Sequence, residues 1–409
     1  MSESAGFPTP NLDEISPQEQ PSNFLARATG VGSGVVQALL VPTLALLVAL
    51  IFGAFIIALT DIDALVLLRE DTLGALGQMA EGVWVAYRSL FLGAFGSIYA
   101  LSETLFAATP LILAGLALAL GFRAGLFNIG VNGQMIIGGM AAIWVGLHVQ
   151  LPAILHIPLA LVAAILAGAV WAGIAGLLKA RTGAHEVITT IMLNFIALFF
   201  VEFLLKTPVF QEPGRNNPLS EMLPVSARFP KIFGGDYRVT IGLLIALAAV
   251  YFVYWLLFRS TIGFEFRAVG YNPTAGRYAG MKVAWLYILV MGVSGGLAGI
   301  AGANQVMGLP PYQVTQGFAG SIGFDAIALA LLGRSHPLGV LWAGLLFGAL
   351  KAGGRLMQAA AQIPLELVVV VQALIIVLIA APELVRAIFR VPPPEKEPTQ
   401  LTRGWGGKR

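Results

Sequence analysis

The feature that most constrains how this chain folds is a succession of apolar runs, each close to the length of a membrane-spanning helix. A helix needs about 20 residues to cross the hydrocarbon core of a bilayer. About ten runs approach that length, and several of them are short and interrupted by glycine. They predict spans at residues 36–59, 104–121, 127–149, 158–178, 187–205, 239–258, 284–302, 321–332, 338–350 and 364–382.

The composition excludes a soluble globular protein. Hydrophobic residues make up 57% of the 409 residues and charged residues 11%, whereas a soluble domain carries roughly 25% charged residues. The 48 glycines fit helices that approach one another closely in lipid. The absence of cysteine excludes disulfides, thiolate metal sites and thiol nucleophiles. We therefore expect an all-α polytopic membrane protein with about ten transmembrane helices.

The apolar runs divide the chain into a transmembrane domain at residues 36–390 and two polar tails. Residues 1–35 are rich in Pro, Ser, Glu and Gln, and residues 391–409 contain a run of prolines with alternating charges. An even number of spans places both tails on one side, and most Lys and Arg residues lie on that side. The positive-inside rule therefore predicts a multi-pass protein of the plasma membrane with both termini in the cytoplasm.

Two segments between spans are long and are predicted to face the outside. Residues 61–102 alternate apolar and acidic side chains, which is typical of interfacial helices beside the membrane. Residues 207–238 contain repeated prolines, which indicate an extramembrane loop. This loop either meets an external partner or only connects two spans.

The spans also form a pattern of two halves. Without the first and sixth spans, two sets of four helices run in opposite directions, and in each set a glycine-broken stretch joins the first pair. The two breaks lie at residues 121–134 and 302–325. Paired interruptions in inverted halves point to a central substrate site in transporters.

Polar side chains in the first break are candidates for lining such a path. Asn128, Asn132 and Gln134 stand in an otherwise apolar stretch, and an unpaired amide is costly in lipid. The amides either pair with backbone freed at the glycines or line a path for an uncharged polar solute. Phe127 is a candidate for stacking against a planar group of the solute.

Further candidates lie on two later spans. Glu186, Thr190 and Asn194 recur at i, i+4 and i+8, so they share one face of a helix. Asp325, next to the aromatic candidate Phe324, stands near the start of a span. It is either an acid that favours the helix dipole or a contact for solute.

The segment at residues 259–282 is a candidate docking element. Its sequence predicts a helix of about two turns, and such a short helix is marginal unless something holds it. The alternative is that the segment is an ordinary cytoplasmic turn between spans. The coupling residues are predicted to be Arg267, Asn272 as N-cap, Pro273 at the first helical position, Arg277, Tyr278 and Gly280 at the far end.

Enzyme interpretations find little support. No Gly-rich loop with Gly-Lys-Ser/Thr is present, so the chain cannot cradle ATP phosphates by itself, and no metal-binding motif is found. Gly292-Val293-Ser294-Gly295 matches the nucleophile motif of intramembrane serine proteases of the rhomboid type, with His336 as a later histidine. In a chain so rich in glycine, the motif is more simply a site of close helix packing. The protease remains a remote alternative.

Four stretches, at residues 125–134, 186–194, 266–273 and 323–333, together resemble one family. It is the ABC importer permeases that serve ribose, branched-chain amino acids and nucleosides, and the likeness is greatest to the larger permease of nucleoside importers. The resemblance covers most of residues 36–390. Val131-Asn132 departs from the family pattern, in which a small residue and Glu are common, so this chain has no acid at that position.

The resemblance implies a permease subunit that imports nucleosides by alternating access. Its implied partners are a second permease, a cytoplasmic ATPase with two nucleotide-binding domains, an extracytoplasmic solute-binding lipoprotein and membrane lipid, without nucleic acid. ATP and magnesium would bind the ATPase, and this chain itself would bind no cofactor. The alternative solutes are ribose-like sugars and branched-chain amino acids, and a secondary transporter is the alternative from another class.

Overall fold

The computed structural model describes residues 33–380 apart from residues 213, 215 and 216. In this part of the chain the ordered elements are helices, with isolated β-bridges in place of strands, which confirms the all-α prediction there. The predicted tails lie outside the described residues, except for residues 33–35. The helices are α1 (Ser33–Thr60), α2 (Ile62–Leu67), α3 (Thr72–Phe95), α4 (Ile98–Arg123), α5 (Val131–His148), α6 (Ala153–Thr182), α7 (Glu186–Leu204), α8 (Gly242–Arg259), α9 (Thr261–Tyr271), α10 (Pro273–Tyr278), α11 (Val283–Gly308), α12 (Ile322–Leu332), α13 (Pro337–Ala361) and α14 (Leu365–Ala380), with a 3₁₀ turn at Val225–Ala227.

The chain divides into two units. One unit is Leu46–Ala381, and the other consists of Met1–Ala45 and Pro382–Arg409. Most of the second unit lies outside the described residues, and the sites described below belong to Leu46–Ala381.

Six of the described helices are long and apolar enough to cross a membrane: α4, α6, α7, α8, α11 and α13. The span predicted at residues 321–332 forms α12, whose 11 residues extend only about 16 Å at 1.5 Å per residue. That is about half of the hydrocarbon thickness. The count of about ten spans and the two inverted sets therefore do not follow from helix length.

Helix α11 packs against α6 through facing pairs of small residues. A β-carbon at Gly295 would lie 2.2 Å from the carbonyl oxygen of Gly168, and one at Gly299 would lie 2.1 Å from that of Ala164. The two small residues on each helix are four positions apart, so they lie on the same face of that helix and let the two backbones approach closely. The glycines of α11 thereby allow the two backbones to touch.

Helix α4 lies at the centre of the bundle, and most of its residues are buried. Helix α13 approaches it where Gly344 faces Ile112 and Gly348 faces Ala108. The same helix meets α3 at Gly353, where a β-carbon would lie 2.1 Å from the carbonyl oxygen of Leu90. Helix α3 occupies 24 residues of the segment at 61–102, which is predicted to carry interfacial helices.

The second predicted break is shorter than the sequence indicates. Helix α11 continues through Gly302 to Gly308, and the non-helical stretch runs from residue 309 to residue 321. Gly302 does not break the helix because its missing side chain serves packing: a β-carbon there would lie 1.9 Å from the carbonyl oxygen of Met135. Likewise, α13 extends to Ala361, beyond the predicted end at residue 350.

The segment at residues 207–238 folds onto this second break. Leu223 N donates to Tyr312 O at 2.9 Å, and Val314 N donates to the buried Ser220 hydroxyl at 2.8 Å. The Arg228 guanidinium lies 4.5 Å from the centre of the Tyr312 ring. The segment therefore covers one end of the bundle instead of projecting from it.

Candidate functional site

Two of the three amides of the first break, those of Asn128 and Gln134, form a buried hydrogen-bond network. Asn128 Nδ2 donates to Gln134 Oε1 at 3.1 Å, and Gln134 Nε2 donates back to Asn128 Oδ1 at 2.9 Å. Asn128 Nδ2 also donates to Ser294 Oγ, which donates to the carbonyl oxygen of Ala117 at 2.6 Å. Both amides are at most 1% exposed. The network joins the break to α4 and α11.

Helix α7 contributes to the same break through its polar face. Asn194 Oδ1 accepts from Gly133 N at 2.8 Å, and Asn194 Nδ2 donates to Ile129 O at 2.9 Å. Thr190 is buried and donates to the Glu186 carbonyl of its own helix. Asn194 thus bonds to the backbone at the first break from a neighbouring helix. Whether these residues also contact solute remains a prediction.

The other charged and polar candidates occupy different surroundings. Glu186 lies at the start of α7 and pairs with Lys179 at 2.8 Å. Asp325, in the first turn of α12, pairs with Lys351 of α13 at 2.7 Å and accepts a hydrogen bond from the Ser321 hydroxyl. Lys351 is therefore engaged within the bundle by an acid of a neighbouring helix.

The structure brings the two breaks together. A β-carbon at Gly323, in the first turn of α12, would lie 2.5 Å from the backbone nitrogen of Asn132, near the start of α5. The Asn132 Oδ1 atom is buried without a hydrogen-bond partner among the described residues. The aromatic candidates are more open: Phe127 is 37% exposed and packs on Phe122, and Phe324 is 50% exposed.

The predicted docking helix is present and capped as expected. Asn272 Oδ1 accepts from Thr274 N and Ala275 N at 3.0 Å, and Pro273 occupies the first turn of α10. At the far end Gly280 has a φ of +82°, a left-handed conformation that glycine adopts without a steric penalty. The predicted capping of this short helix is confirmed.

The same segment contains a second helix, α9, which the sequence pattern did not predict. Ser260 caps its start by accepting from Gly263 N at 3.0 Å, and Phe266 and Val269 bury its inner face. The signals were a Ser N-cap and an i, i+3 apolar pair. Glycine and charge in the same stretch obscured them.

Helix α9 touches the first break directly. A β-carbon at Gly270 would lie 2.3 Å from the carbonyl oxygen of Arg123, and one at Gly125 would lie 3.0 Å from the carbonyl oxygen of Gly270. Gly125 has a φ of +72°, so the chain turns sharply there after α4. The two glycines let the backbone of α9 meet the link between α4 and α5.

A cluster of cations and rings surrounds this contact. Arg123 Nε donates to Ser335 O at 2.8 Å, in the turn between α12 and α13. The guanidinium groups of Arg123 and Arg267 lie 5.8 and 5.3 Å from the centre of the Phe258 ring, which also packs on His336. Burial and the nearby Arg123 charge lower the pKa of His336. The ends of α4, α8, α9 and α12 are thus held together at this face, here called the α9 end.

Residues 100–380 match the family described as the branched-chain amino acid transport system / permease component. The chain belongs to this permease family. The match covers more than half of the 409 residues, and it includes the amide network, both breaks and the α9 end. The resemblance to this permease family that the sequence indicated is therefore confirmed.

Named relatives extend the likeness beyond the family model. The guanosine ABC transporter permease protein NupP of Bacillus subtilis is 41% identical to the permease over 77% of this chain and 91% of its own length. The nucleoside ABC transporter permease protein NupB of Lactococcus lactis is 38% identical over 75% and 87%. The glucose ABC transporter permease protein TsgB13 of Haloferax volcanii is 38% identical over 73% and 80%. No solved structure matches the permease.

The permease has charged residues within its bundle that the sequence reading did not identify as a site. Glu103 Oε2 accepts from Arg238 NH1 at 3.0 Å and from Arg355 NH1 at 2.8 Å. These residues come from α4, from the segment before α8, and from α13. They are distant in the sequence, so no local pattern could have joined them.

The remaining alternative sites fit the permease poorly. Ser294 is fully buried and donates to a backbone carbonyl, whereas His336 lies at the α9 end against Phe258. The arrangement gives Ser294 no histidine base, which argues against a protease. Across the described residues no group of three or more His, Asp and Glu could hold a metal ion.

Proposed function

We propose that this permease is the membrane subunit of an ABC importer that moves nucleosides into the cell. The observation that carries the proposal is its likeness to the guanosine and nucleoside permeases over three quarters or more of this chain. The buried amide network, the breaks and the α9 end all lie inside the matched region. A glucose permease of similar identity favours a sugar as the second candidate solute, ahead of a branched-chain amino acid.

The proposed importer contains further subunits. A separate cytoplasmic ATPase would bind ATP and magnesium, an outside lipoprotein would deliver the solute, and a second permease would complete the membrane domain. The support on this chain is the exposed surface at the end of α9 and on α10: Tyr271, the last residue of α9, is 97% exposed, and Tyr278, the last residue of α10, is 90% exposed. Two aromatic side chains with almost no contact to their own fold are typical of an interface. This face is where we place the ATPase.

The arrangement of α9 and α10 supports a mechanical role. Movement of α10 would pass to α9 and then, through the contact of Gly270 with Arg123 and Gly125, to the hinge between α4 and α5. The amide network would transmit the same movement to α11 through Ser294. Alternating access would follow if the hinge has two arrangements that ATP binding biases differently.

On the same basis we also propose how the chain crosses the membrane. The protein would cross the plasma membrane in about ten passes, with two inverted sets of helices, residues 61–102 and 207–238 outside, and both termini inside. The contact between Asn132 and Gly323 supports the two sets, because it joins corresponding points at the starts of α5 and α12. In this orientation the α9 end faces the cytoplasm, as docking to an ATPase requires.

Uptake by cells that express the complete importer tests the proposed function. Radiolabelled guanosine should accumulate, and unlabelled inosine should compete while ribose and leucine should not. Depletion of ATP should stop uptake, whereas collapse of the proton gradient at constant ATP should not. Competition by ribose or glucose without competition by inosine would replace the nucleoside with a sugar. Dependence on the proton gradient alone would favour a secondary transporter.

A further inference from the structure

A cavity of about 300 Å³ lies between α4, α11, α12 and α13, at the end of the bundle opposite the α9 end. Its volume is at the lower limit of typical ligand pockets, which measure about 300–1,000 Å³. The polar and aromatic residues on its lining are Phe106, Arg238, Asn304, Gln305, Lys351 and Arg355. None of the residues predicted from the sequence to line the solute path is among them.

The cations of this cavity are held in place by acids behind them. Glu103 is buried, and its Oε2 atom accepts from both Arg238 and Arg355. Its Oε1 atom is buried without a partner within the part of the chain that the structure describes. One carboxylate thus balances two guanidinium groups, and each guanidinium has five N–H donors, so donors remain for a solute.

Lys351 repeats this arrangement across the cavity. Its ammonium pairs with Asp325 at 2.7 Å and carries three N–H donors in all. The three cations and the two acids leave a small positive surplus, and no acid lies on the lining itself. The cavity therefore favours a solute rich in hydrogen-bond acceptors and disfavours a cation.

Two amides and a proline in α4 add further polar character to the lining. Asn304 is 4% exposed, and neither its amide nor that of Gln305 bonds to another described residue. Pro110 lies within α4 and lines the cavity. A proline removes the helical donor to the carbonyl four residues before it, which here is that of Phe106. Unpaired polar groups are costly in a bundle surrounded by lipid unless a ligand or water completes them.

An aromatic platform completes the lining. The Phe106 ring lies 4.3 Å from the Arg238 guanidinium carbon, a cation–π contact that fixes both groups. A planar ring of a solute can stack on such a platform, while hydroxyl groups reach the amides and the ammonium.

We propose that this cavity binds the transported nucleoside, with Phe106 and Arg238 at the base and Asn304, Gln305 and Lys351 at the sugar. The inference rests on the proposed function and assigns to it a site other than the amide network. In the proposed topology the cavity opens toward the outside, where a lipoprotein delivers solute. Glu103 and Asp325 are positioning residues that orient the cations.

The absence of cysteine permits a direct test. Gln305→Cys, Asn128→Cys and Gln78→Cys place single thiols in the cavity, in the amide network and on the surface of α3. In cells with the complete importer, saturating guanosine should slow labelling of Gln305→Cys by a hydrophilic thiol reagent at least fivefold. It should leave Gln78→Cys unchanged. Phe106→Cys gives the same readout if Gln305→Cys does not reach the membrane.

An uptake measurement accompanies the labelling. Gln305→Ala should raise the guanosine KM about five- to tenfold, the effect of losing about one hydrogen bond to solute, whereas Gln78→Ala should leave it unchanged. Guanosine uptake without protection of either cavity thiol, or protection of Asn128→Cys instead, would overturn this inference alone. Absence of nucleoside uptake by the unmodified importer would overturn the proposed function as well.

Discussion

At the scale of single residues, the amides of the first break show how polar groups are accommodated in an apolar bundle. Asn128 and Gln134 exchange two hydrogen bonds, and each amide is almost fully buried. The serine hydroxyl of Ser294 extends this pair to the backbone of α4. The same side chains that would be costly alone therefore fix the position of the break relative to two helices.

We predict that Gln134→Leu destabilises the permease by about 1–3 kcal/mol, because it removes both bonds to Asn128 and leaves an amide hydrogen unpaired in the core. Thermal unfolding of the protein purified in detergent measures this loss. Asn132→Leu is the matched control on the same helix, since the Oδ1 atom of Asn132 already lacks a partner among the described residues. Equal destabilisation by both changes would contradict the structural role of the network.

At the scale of elements, the decisive contact is between α9 and the end of α4. Gly125 and Gly270 meet there, and Gly270 lies within α9, a helix that the sequence pattern did not reveal. The contact is made of backbone atoms, which are stiffer than side chains. In the proposed mechanism, a displacement of α9 would therefore move the link between α4 and α5 and would not be absorbed by rotamer changes.

Gly270→Ala is expected to reduce guanosine uptake at least tenfold, because the new β-carbon would lie 2.3 Å from the Arg123 carbonyl oxygen and α9 must separate from α4. Gly173→Ala is the control: it lies within α6 and has no atom within 4 Å of the added carbon. Immunoblots of the membrane fraction show whether both variants are inserted. Normal uptake by Gly270→Ala would remove the contact from the coupling path.

At the scale of the whole molecule, two ends of the bundle carry different chemistry. The α9 end combines exposed aromatic and basic side chains with tight backbone contacts, as an interface that receives force would. The opposite end combines ion pairs with unpaired amides around a cavity, as a solute site would. Helix α4 reaches both ends, since Glu103 lies near its start and Arg123 at its end. In the proposed mechanism, a displacement at the α9 end would therefore alter the cavity at the other end.

Arg277→Glu tests the first of these roles. Arg277 lies on the exposed helix α10, so the charge reversal should leave folding intact and should abolish both guanosine uptake and the stimulation of ATP hydrolysis by solute. Arg181→Glu reverses an exposed charge on α6 and should have little effect. ATPase activity and uptake in membrane vesicles measure both quantities. Normal uptake in Arg277→Glu would argue against docking at α10.

The sequence alone determined those features that depend on neighbours in the chain. Apolar runs specified helices, Asn272 and Pro273 specified the start of α10, and four local stretches identified the family. These features are local because helix caps and membrane helices satisfy their own backbone within a few residues. The same local reasoning ended α11 at Gly302, since a glycine looks like a break until its packing partner is known.

Only the tertiary structure decided which distant residues meet. It paired Glu103 with Arg238 and Arg355, Asp325 with Lys351, and Gly270 with the end of α4. It also paired Asn128 with Gln134 at the first break and placed Asn304 and Gln305 on the lining of a cavity elsewhere. The physical reason is that burial, ion pairing and close backbone approach depend on the spatial neighbours of a residue, and in a helical bundle those neighbours are separated by tens to hundreds of positions in the sequence.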